Sequence, residues 1–290
     1  MRRLAPAVAA LGAAMLTAAG CAPADNNSAP AASPAGSASQ GCTPDQLKTI
    51  AAGKLTVATD NPAYPPWFVD NKPQNGQGFE SAVAYAVATK LGYANDSVVW
   101  TRVGFNAAIQ PGPKSFDFDI NEFSITEDRK KAVDFSTPYY DVTQAVVALK
   151  SSKIAGARTV AALKGAKLGA QVGTTSYTAI TQSIKPTAAP QVYNTNDDAV
   201  KALQNGQIDG LVVDLPTAFY VTSAQVDNSV IVGQLPQPPG TPEQFGLVLD
   251  KGSAVTACVS QAVDALRADG TLTNLAKQWL AGSAGAPVLS

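Results

Sequence analysis

The sequence predicts an α/β protein with mostly parallel sheets. From Cys42 onward, short runs rich in β-branched residues alternate with stretches whose apolar residues recur at helical spacing. Between them stand Gly92, Pro111-Gly112-Pro113 and Pro216, where helices stop or start. The composition agrees: the 290 residues are 46% hydrophobic and only 15% charged, which describes a globular chain with ample core.

The elements follow in order. Residues 54–59 form a β-branched strand after a glycine. Residues 80–91 carry apolar positions at helical spacing and stop at Gly92. A strand over 97–103 leads into a helix over 105–110, ended by the Pro-Gly-Pro break. A strand over 116–123 closes on the polar pair Asn121-Glu122. Further on come a strand at 167–170, helices at 174–184 and 197–205, a strand at 207–213 and a helix at 215–224.

The first twenty residues lie outside this rhythm. Arg2 and Arg3 precede an apolar, mostly Ala run over 4–19, and Ala18-Ala19-Gly20-Cys21 follows. That order reads as a secretory signal over 1–20, and the run is short for a membrane span of about 20 residues. The small residues before Cys21 resemble a bacterial lipobox, with Ala18 where leucine is usual. Cys21 is then the lipidated N-terminus of the mature chain, the alternative being secretion with Cys21 unmodified. Residues 22–40 hold 7 Ala, 4 Ser, 3 Pro and 1 Gly, and read with Cys21 and Gly41 as a tether over 21–41. An exported chain also allows a Cys42–Cys258 disulfide, against two buried free thiols.

Several chemistries are excluded. The chain has no histidine, which removes Ser-His-Asp triads, Cys-His dyads and His-ligated metals. Three cysteines are too few and too scattered for a zinc knuckle or an iron–sulfur cluster. Lys and Arg number 21 against 22 Asp and Glu, so there is no basic field for nucleic acid. No cofactor or metal is expected.

In open α/β sheets, ligands bind outside the carboxyl ends of strands. Polar residues stand at several such ends: Asp60; Glu122 and Ser124, with Thr126 and Arg129 opening the next helix; Thr174 and Thr175; and Asp214 before Pro216. Each has a plainer alternative. Thr174-Thr175 and Asp214 could be helix caps, and Arg129 could belong to a solvated run with Lys130 and Lys131.

The chain resembles the extracellular solute-binding proteins of polar amino acid ABC transporters over about 54–280. The resemblance is carried by Thr59-Asp60 through Tyr64-Pro65-Pro66-Trp67, by Gly78-Phe79-Glu80, and by Ser124-Ile125-Thr126-Glu127-Asp128-Arg129. It continues through Val133-Asp134-Phe135-Ser136-Thr137-Pro138-Tyr139-Tyr140, Gly173-Thr174-Thr175, Ala202 to Asp209, Ala268-Asp269-Gly270-Thr271 and Lys277-Gln278-Trp279-Leu280. Three departures stand out. Ala82 replaces a second acidic residue, Asn121-Glu122-Phe123 replaces small residues, and Glu127 replaces a proline.

The resemblance implies a type II periplasmic-binding-protein-like fold, with two lobes joined by two crossing hinge strands. The first lobe takes 42–145 plus 237–290, and the second takes 146–236. Arg129 would hold the α-carboxylate of an amino acid, and Thr174 and Thr175 would meet it from the other lobe. Asp214 would accept the α-ammonium. Ser124 and the backbone at Glu122 would fix these ends, and Tyr64 and Trp67 would cover the side chain. Asp60 and Glu122 add negative charge, which favours a cationic side chain over a neutral polar or acidic one. The expected partner is an ABC permease, and the expected place is the outer face of the cytoplasmic membrane, as a monomer anchored at Cys21. The main rival is an enzyme of the same fold, such as a cyclohexadienyl or arogenate dehydratase with Glu122 as its acid. Further rivals are a receptor's sensor domain and a structural lipoprotein.

Overall fold

The computed structural model describes residues 41–237, 242–281 and 285–290. The signal segment, Cys21 and the tether up to Gln40 lie outside the described residues.

The strands run in chain order as β1 Leu55–Thr59, β2 Val98–Arg102, β3 Phe118–Asp119, β4 Asp134–Phe135, β5 Tyr140–Val142, β6 Gln144–Leu149, β7 Leu168–Gln171, β8 Gln191–Tyr193, β9 Gly210–Asp214, β10 Ser229–Gln234, β11 Glu243–Phe245 and β12 Val248–Leu249. The helices are α1 Phe79–Lys90, α2 Phe105–Ala108, α3 Glu127–Lys130, α4 Thr175–Ala179, α5 Asn196–Gln204, α6 Leu215–Tyr220, α7 Thr256–Ala268 and α8 Thr271–Leu280. The first lobe is built on the sheet β2-β1-β3-β12-β4, and the second on β10-β6-β9-β7-β8. Between them, β5 pairs antiparallel with β11, Val142 opposite Glu243 and Tyr140 opposite Phe245. This pair is the hinge ribbon.

Both sheets are mixed rather than mostly parallel. In the first, β1 is parallel to β2 and β3, but β12 lies antiparallel to β3 and β4. In the second, β7 is parallel to β8 and β9, but β6 is antiparallel to β9 and β10. In each sheet the reversed strand is the one that leaves the hinge ribbon, since β6 follows β5 directly and β12 follows β11 directly.

Each sheet is packed on both faces. Trp67, Phe68, Phe79, Phe118 and Phe245 fill the main core of the first lobe, against α1, α7 and α8. The other face of that sheet buries Ala58, Phe105, Phe116, Phe123 and Val248. In the second lobe, Leu168, Ala170, Val212 and Val232 face one core, and Val147, Leu211, Val213 and Leu203 face the other.

Several elements are shorter than the sequence suggests. The 116–123 strand pairs only over Phe118–Asp119. Asp117 leaves the ladder to accept the N–H groups of Ile50 and Thr56, at 2.8 and 2.6 Å. The helices predicted at 174–184 and 215–224 both begin as α-helix and then widen into a π-turn, at Ile180–Ile184 and Val221–Gln225. Among the described residues, no helix is long and apolar enough to cross a membrane.

Cys42 and Cys258 are joined, with Cα atoms 5.4 Å apart. The bond ties the first described turn to α7. Closing so long a loop restricts the unfolded chain by roughly 3–5 kcal/mol.

The last residues depart from the expected lobe. The assignment of all of 237–290 to the first lobe does not hold for 285–290, which pack on the second. Gln234 and Val288 form a parallel bridge, and Gln234 N–H donates to Pro287 O at 2.8 Å. Ser290 is held against Arg158 and Val160 by backbone bonds of 3.1 and 2.9 Å. The cause is Leu289, which buries all but 1% of its surface in the second-lobe core. That is worth about 1.5–3 kcal/mol. Gly233 permits the contact, because a Cβ there would lie 2.8 Å from Leu289 Cδ2.

Candidate binding site

A pocket opens between the lobes at the carboxyl ends of β1, β3, β7 and β9. Its walls include Asp60, Tyr64, Phe105, Glu122 and Arg129 from the first lobe, and Gln171, Thr174, Thr175, Asp214 and Thr217 from the second. The lobes touch directly across it, so the cavity is small, about 40 Å³.

Arg129 sits on the one-turn helix α3. Thr126 caps that helix by accepting the Arg129 N–H at 3.2 Å. The neighbouring lysines point outward and pair within the turn, Lys130 with Glu127 at 2.8 Å and Lys131 with Asp128 at 2.6 Å. Arg129 turns inward and is only 9% exposed, so it does not belong to a solvated charge run. Its Nη1 donates to Ser124 O at 2.7 Å, and its Nη2 to Gly173 O across the cleft at 2.9 Å. The guanidinium lies 5.3 Å above the Phe105 ring, which in turn stacks on Phe123. Burial lowers its pKa to about 10, so it stays charged at neutral pH.

From the second lobe, Gly173 takes φ +77° and brings the chain up to Asn106 of the first lobe. Thr174 caps α4 by accepting Tyr177 N–H at 3.2 Å, and its hydroxyl donates to Gln171 O. Thr174 is therefore a cap that also lines the pocket. Thr175 Oγ1 lies 3.1 Å from Ser124 Oγ. Asp214 occupies the cap position of α6 but makes no side-chain cap bond. Its Oδ1 instead accepts from Gln144 Nε2 at 2.6 Å. Burial, then the like charge of Glu243, pushes the Asp214 carboxyl well above the usual carboxylate range.

Glu122 holds a left-handed backbone, φ +52°, which costs a non-glycine residue about 1–2 kcal/mol. Its N–H donates to Glu80 Oε1 at 2.7 Å, which holds the turn. Its carboxylate accepts from Thr217 Oγ1 at 2.7 Å, across the lobes. Lys130 and Arg102 are both engaged elsewhere, and Glu122 faces the pocket. Burial and the nearby Asp214 and Glu80 push its carboxyl well up. Glu80 itself, fully buried beside the Tyr139 hydroxyl, is raised to about 7 by burial.

Asp60 accepts the N–H groups of Asn61 and Phe105, so it shapes the start of α2 while lining the pocket. Its carboxyl is raised, mainly by burial. The Tyr64 hydroxyl is pushed up by burial and by Asp197.

Two of the expected residues do not line the pocket. Trp67 is 1% exposed and wedged among Phe79, Tyr140 and Phe245. Only its indole N–H reaches the second lobe, donating to Thr217 at 2.9 Å. Phe105 supplies the aromatic wall instead. Ser124 lies behind the pocket and donates to Glu243 Oε1 at 2.6 Å. Sequence reasoning missed Phe105, Gln144, Gln171, Thr217 and Glu243. Phe105 follows the end of β2 and Gln171 ends β7, so both carried the strand-end signal; Thr217 lies in the first turn of α6, and Gln144 and Glu243 lie where separate strands meet. Among the described residues, no group of three or more Cys, Asp or Glu is placed to hold a metal ion.

A model of the family described as bacterial extracellular solute-binding proteins, family 3, matches residues 55–282. The L-cystine-binding protein TcyJ of Escherichia coli is 27% identical over 78% of this chain and 82% of its own. An ancestral arginine-binding protein bound to glutamine superposes with a TM-score of 0.64 and 31% identity, covering 78% of this chain and 97% of that one. The ancestral amino acid-binding protein AncCDT-1, a precursor of cyclohexadienyl dehydratase, gives 0.62 and 29%, covering 78% and 94%.

Proposed function

The chain belongs to the bacterial extracellular solute-binding proteins of family 3, and from that premise we propose that it captures a free amino acid between its lobes and delivers it to an ABC importer permease. One observation carries this reading. Buried Arg129 on one lobe and Asp214 on the other face the same pocket, and neither makes an ion pair among the described residues. A zwitterion supplies both missing partners. Arg129 takes the α-carboxylate, whose geometry suits a guanidinium fork. Thr174 and Thr175 offer it first-turn N–H groups that lack helical partners. Asp214 takes the α-ammonium. A ligand gripped from both sides binds the closed state better than the open one, which is the requirement for ligand-driven closure.

The side chain is cationic. Asp60, Glu122 and the Tyr64 hydroxyl line the remaining wall, and a cationic side chain there would favour the ionised form of two carboxyls that burial raises. A neutral polar side chain is the competing outcome, with protonated Glu122 donating to it. The relatives named for cystine and arginine support an amino acid of either kind. A thermal-shift screen over the amino acids tests the reading, since a ligand raises stability as ln(1 + [L]/Kd). Basic amino acids should give the largest shifts. A screen in which no amino acid shifts the protein rejects the proposal.

The lipid anchor is part of the same reading. Cys21 and the small-residue segment after it would hold the binding domain, as a monomer, at the outer face of the cytoplasmic membrane. Cys21→Ser should release the protein or block its processing. A processed variant still in the membrane fraction rejects the anchor.

The raised carboxyl of Glu122 favours one further reading, an acid that expels hydroxide from arogenate or prephenate. Turnover of either substrate, abolished in Glu122→Gln, would establish it.

A further inference from the structure

Behind the pocket, Arg129 and Asp214 are joined by a continuous chain of hydrogen bonds that runs through the hinge. Arg129 Nη1 donates to Ser124 O at 2.7 Å, and Ser124 Oγ donates to Glu243 Oε1 at 2.6 Å. Glu243 opens β11, the return strand of the hinge ribbon. Gln144 opens β6, the outgoing strand, directly opposite Asp214 in the ladder. The Gln144 side chain is 5% exposed. Its amide nitrogen donates to Asp214 Oδ1 at 2.6 Å and to both Glu243 oxygens at 3.1 Å. Its carbonyl accepts from Ser176 Oγ at 2.7 Å.

The chemistry fixes the orientation of that amide. Its two hydrogens face two carboxylates, and its oxygen faces a hydroxyl. The reverse orientation would set an oxygen against both acids. Glu243 makes no ion pair among the described residues. Its carboxylate is held instead by the Ser124 hydroxyl and by the far side of the same amide that holds Asp214.

Building on the amino acid reading, we propose that Glu243 is a positioning residue for ligand capture, acting through Gln144 to hold Asp214 and to set how readily Asp214 accepts an ammonium group. The hinge strand thereby senses the charge on which the second lobe closes.

The groups facing Asp214 come from every neighbouring element. They are Gln144 on β6, Glu243 on β11, Arg129 on α3, Glu80 on α1, Glu122 after β3, and Tyr140 on β5. Among these, the like charge of Glu243 raises the Asp214 carboxyl most after burial, and the Gln144 bond lowers it most. Removing either should move the Asp214 titration, in opposite directions.

The test is a pH titration of the full, processed chain without ligand, labelled with carbon-13 at its Asp and Glu carboxyls. Asp214→Asn assigns the Asp214 resonance. Glu243→Gln should lower the Asp214 midpoint. Gln144→Ala should raise it. Glu243→Asp keeps the charge and should leave it near wild type. Where the screen has found a ligand, the acid limb of its binding should shift in the same directions. An Asp214 midpoint unmoved in both Glu243→Gln and Gln144→Ala overturns the proposal. So does an equal shift in Glu243→Asp and Glu243→Gln, which would mark a structural role alone. Because the titration needs no ligand, its outcome is separate from that of the amino acid screen.

Discussion

At the Arg129 end of the pocket, the polar groups have partners. The guanidinium nitrogens reach the carbonyls of Ser124 and Gly173, and Thr174 is bonded on both sides of its hydroxyl. Toward the Glu122 end, the second oxygen of Glu80 and both oxygens of Asp119 are buried without a partner. Glu122 itself stands on a left-handed backbone. The first end keeps its charge through burial because it stays near carboxylates. The second end holds carboxyls whose charge burial suppresses. A cleft can thus be preorganised for ions at one end and hold protons at the other.

Removing Arg129 should break this contrast most. Arg129→Ala leaves a ligand carboxylate desolvated and unpaired, at a cost of roughly 2–5 kcal/mol, or about thirtyfold to several-thousandfold in affinity. Arg129→Lys should also weaken binding, since one ammonium cannot reproduce the fork. Calorimetry with the ligand found by screening decides it, and wild-type affinity in Arg129→Ala would show the grip lies elsewhere.

The acid end makes a prediction about stability. Glu80 has a folded pKa of about 7 against a usual 4.5. A raised carboxyl contributes stability that is fully present below about 4.5 and is lost as pH rises through about 7. Wild-type Tm should therefore fall across that window, by an amount corresponding to at most roughly 3 kcal/mol. Glu80→Gln keeps an oxygen for the Glu122 N–H and the Tyr139 hydroxyl, and should flatten the fall. Parallel Tm profiles in both proteins would mean that Glu80 titrates normally.

A smaller effect sharpens the ligand assignment. Glu122→Gln should weaken a cationic amino acid about tenfold, of the order of 1.4 kcal/mol, and leave a neutral one near wild type. Equal losses for both would place Glu122 at the α-ammonium rather than the side chain. Smallest of all is Lys130→Ala, whose exposed pair with Glu127 contributes about 0–1 kcal/mol to stability. Its binding isotherm should overlay the wild-type curve.

The residues of the grip were legible because strand ends announce themselves. Thr174 and Asp214 each follow a buried strand and stand at the cap of a helix, Arg129 lies in the helical turn just after the Ser124 strand end, and that local order survives folding. The alternating pattern likewise placed β1, β2, β3, β7 and β9 to within a few residues, and left the other strands of the described residues unmarked. Gln144 and Glu243 carried no such mark. One looks like the first polar residue of a buried strand and the other like a loop acid, and their meeting depends on two hinge strands about a hundred residues apart. Trp67 misled for the opposite reason: an aromatic near a predicted ligand loop is as useful to a core as to a pocket, and three other rings claimed it. The reversed strands beside the hinge could not be read from hydrophobic period, which is blind to strand direction.

The C-terminal tail has a practical consequence. Thr43 lies in the turn that the disulfide ties to α7 of the first lobe, whereas Ser290 is bonded to Arg158 and Val160 of the second. The two ends of the described chain therefore ride on different lobes. A donor dye near Thr43 and an acceptor at Ser290 would convert lobe closure directly into a change in energy transfer. The fold is thus wired as an optical sensor for its ligand, with no insertion into either lobe, provided the label leaves Leu289 seated against Gly233.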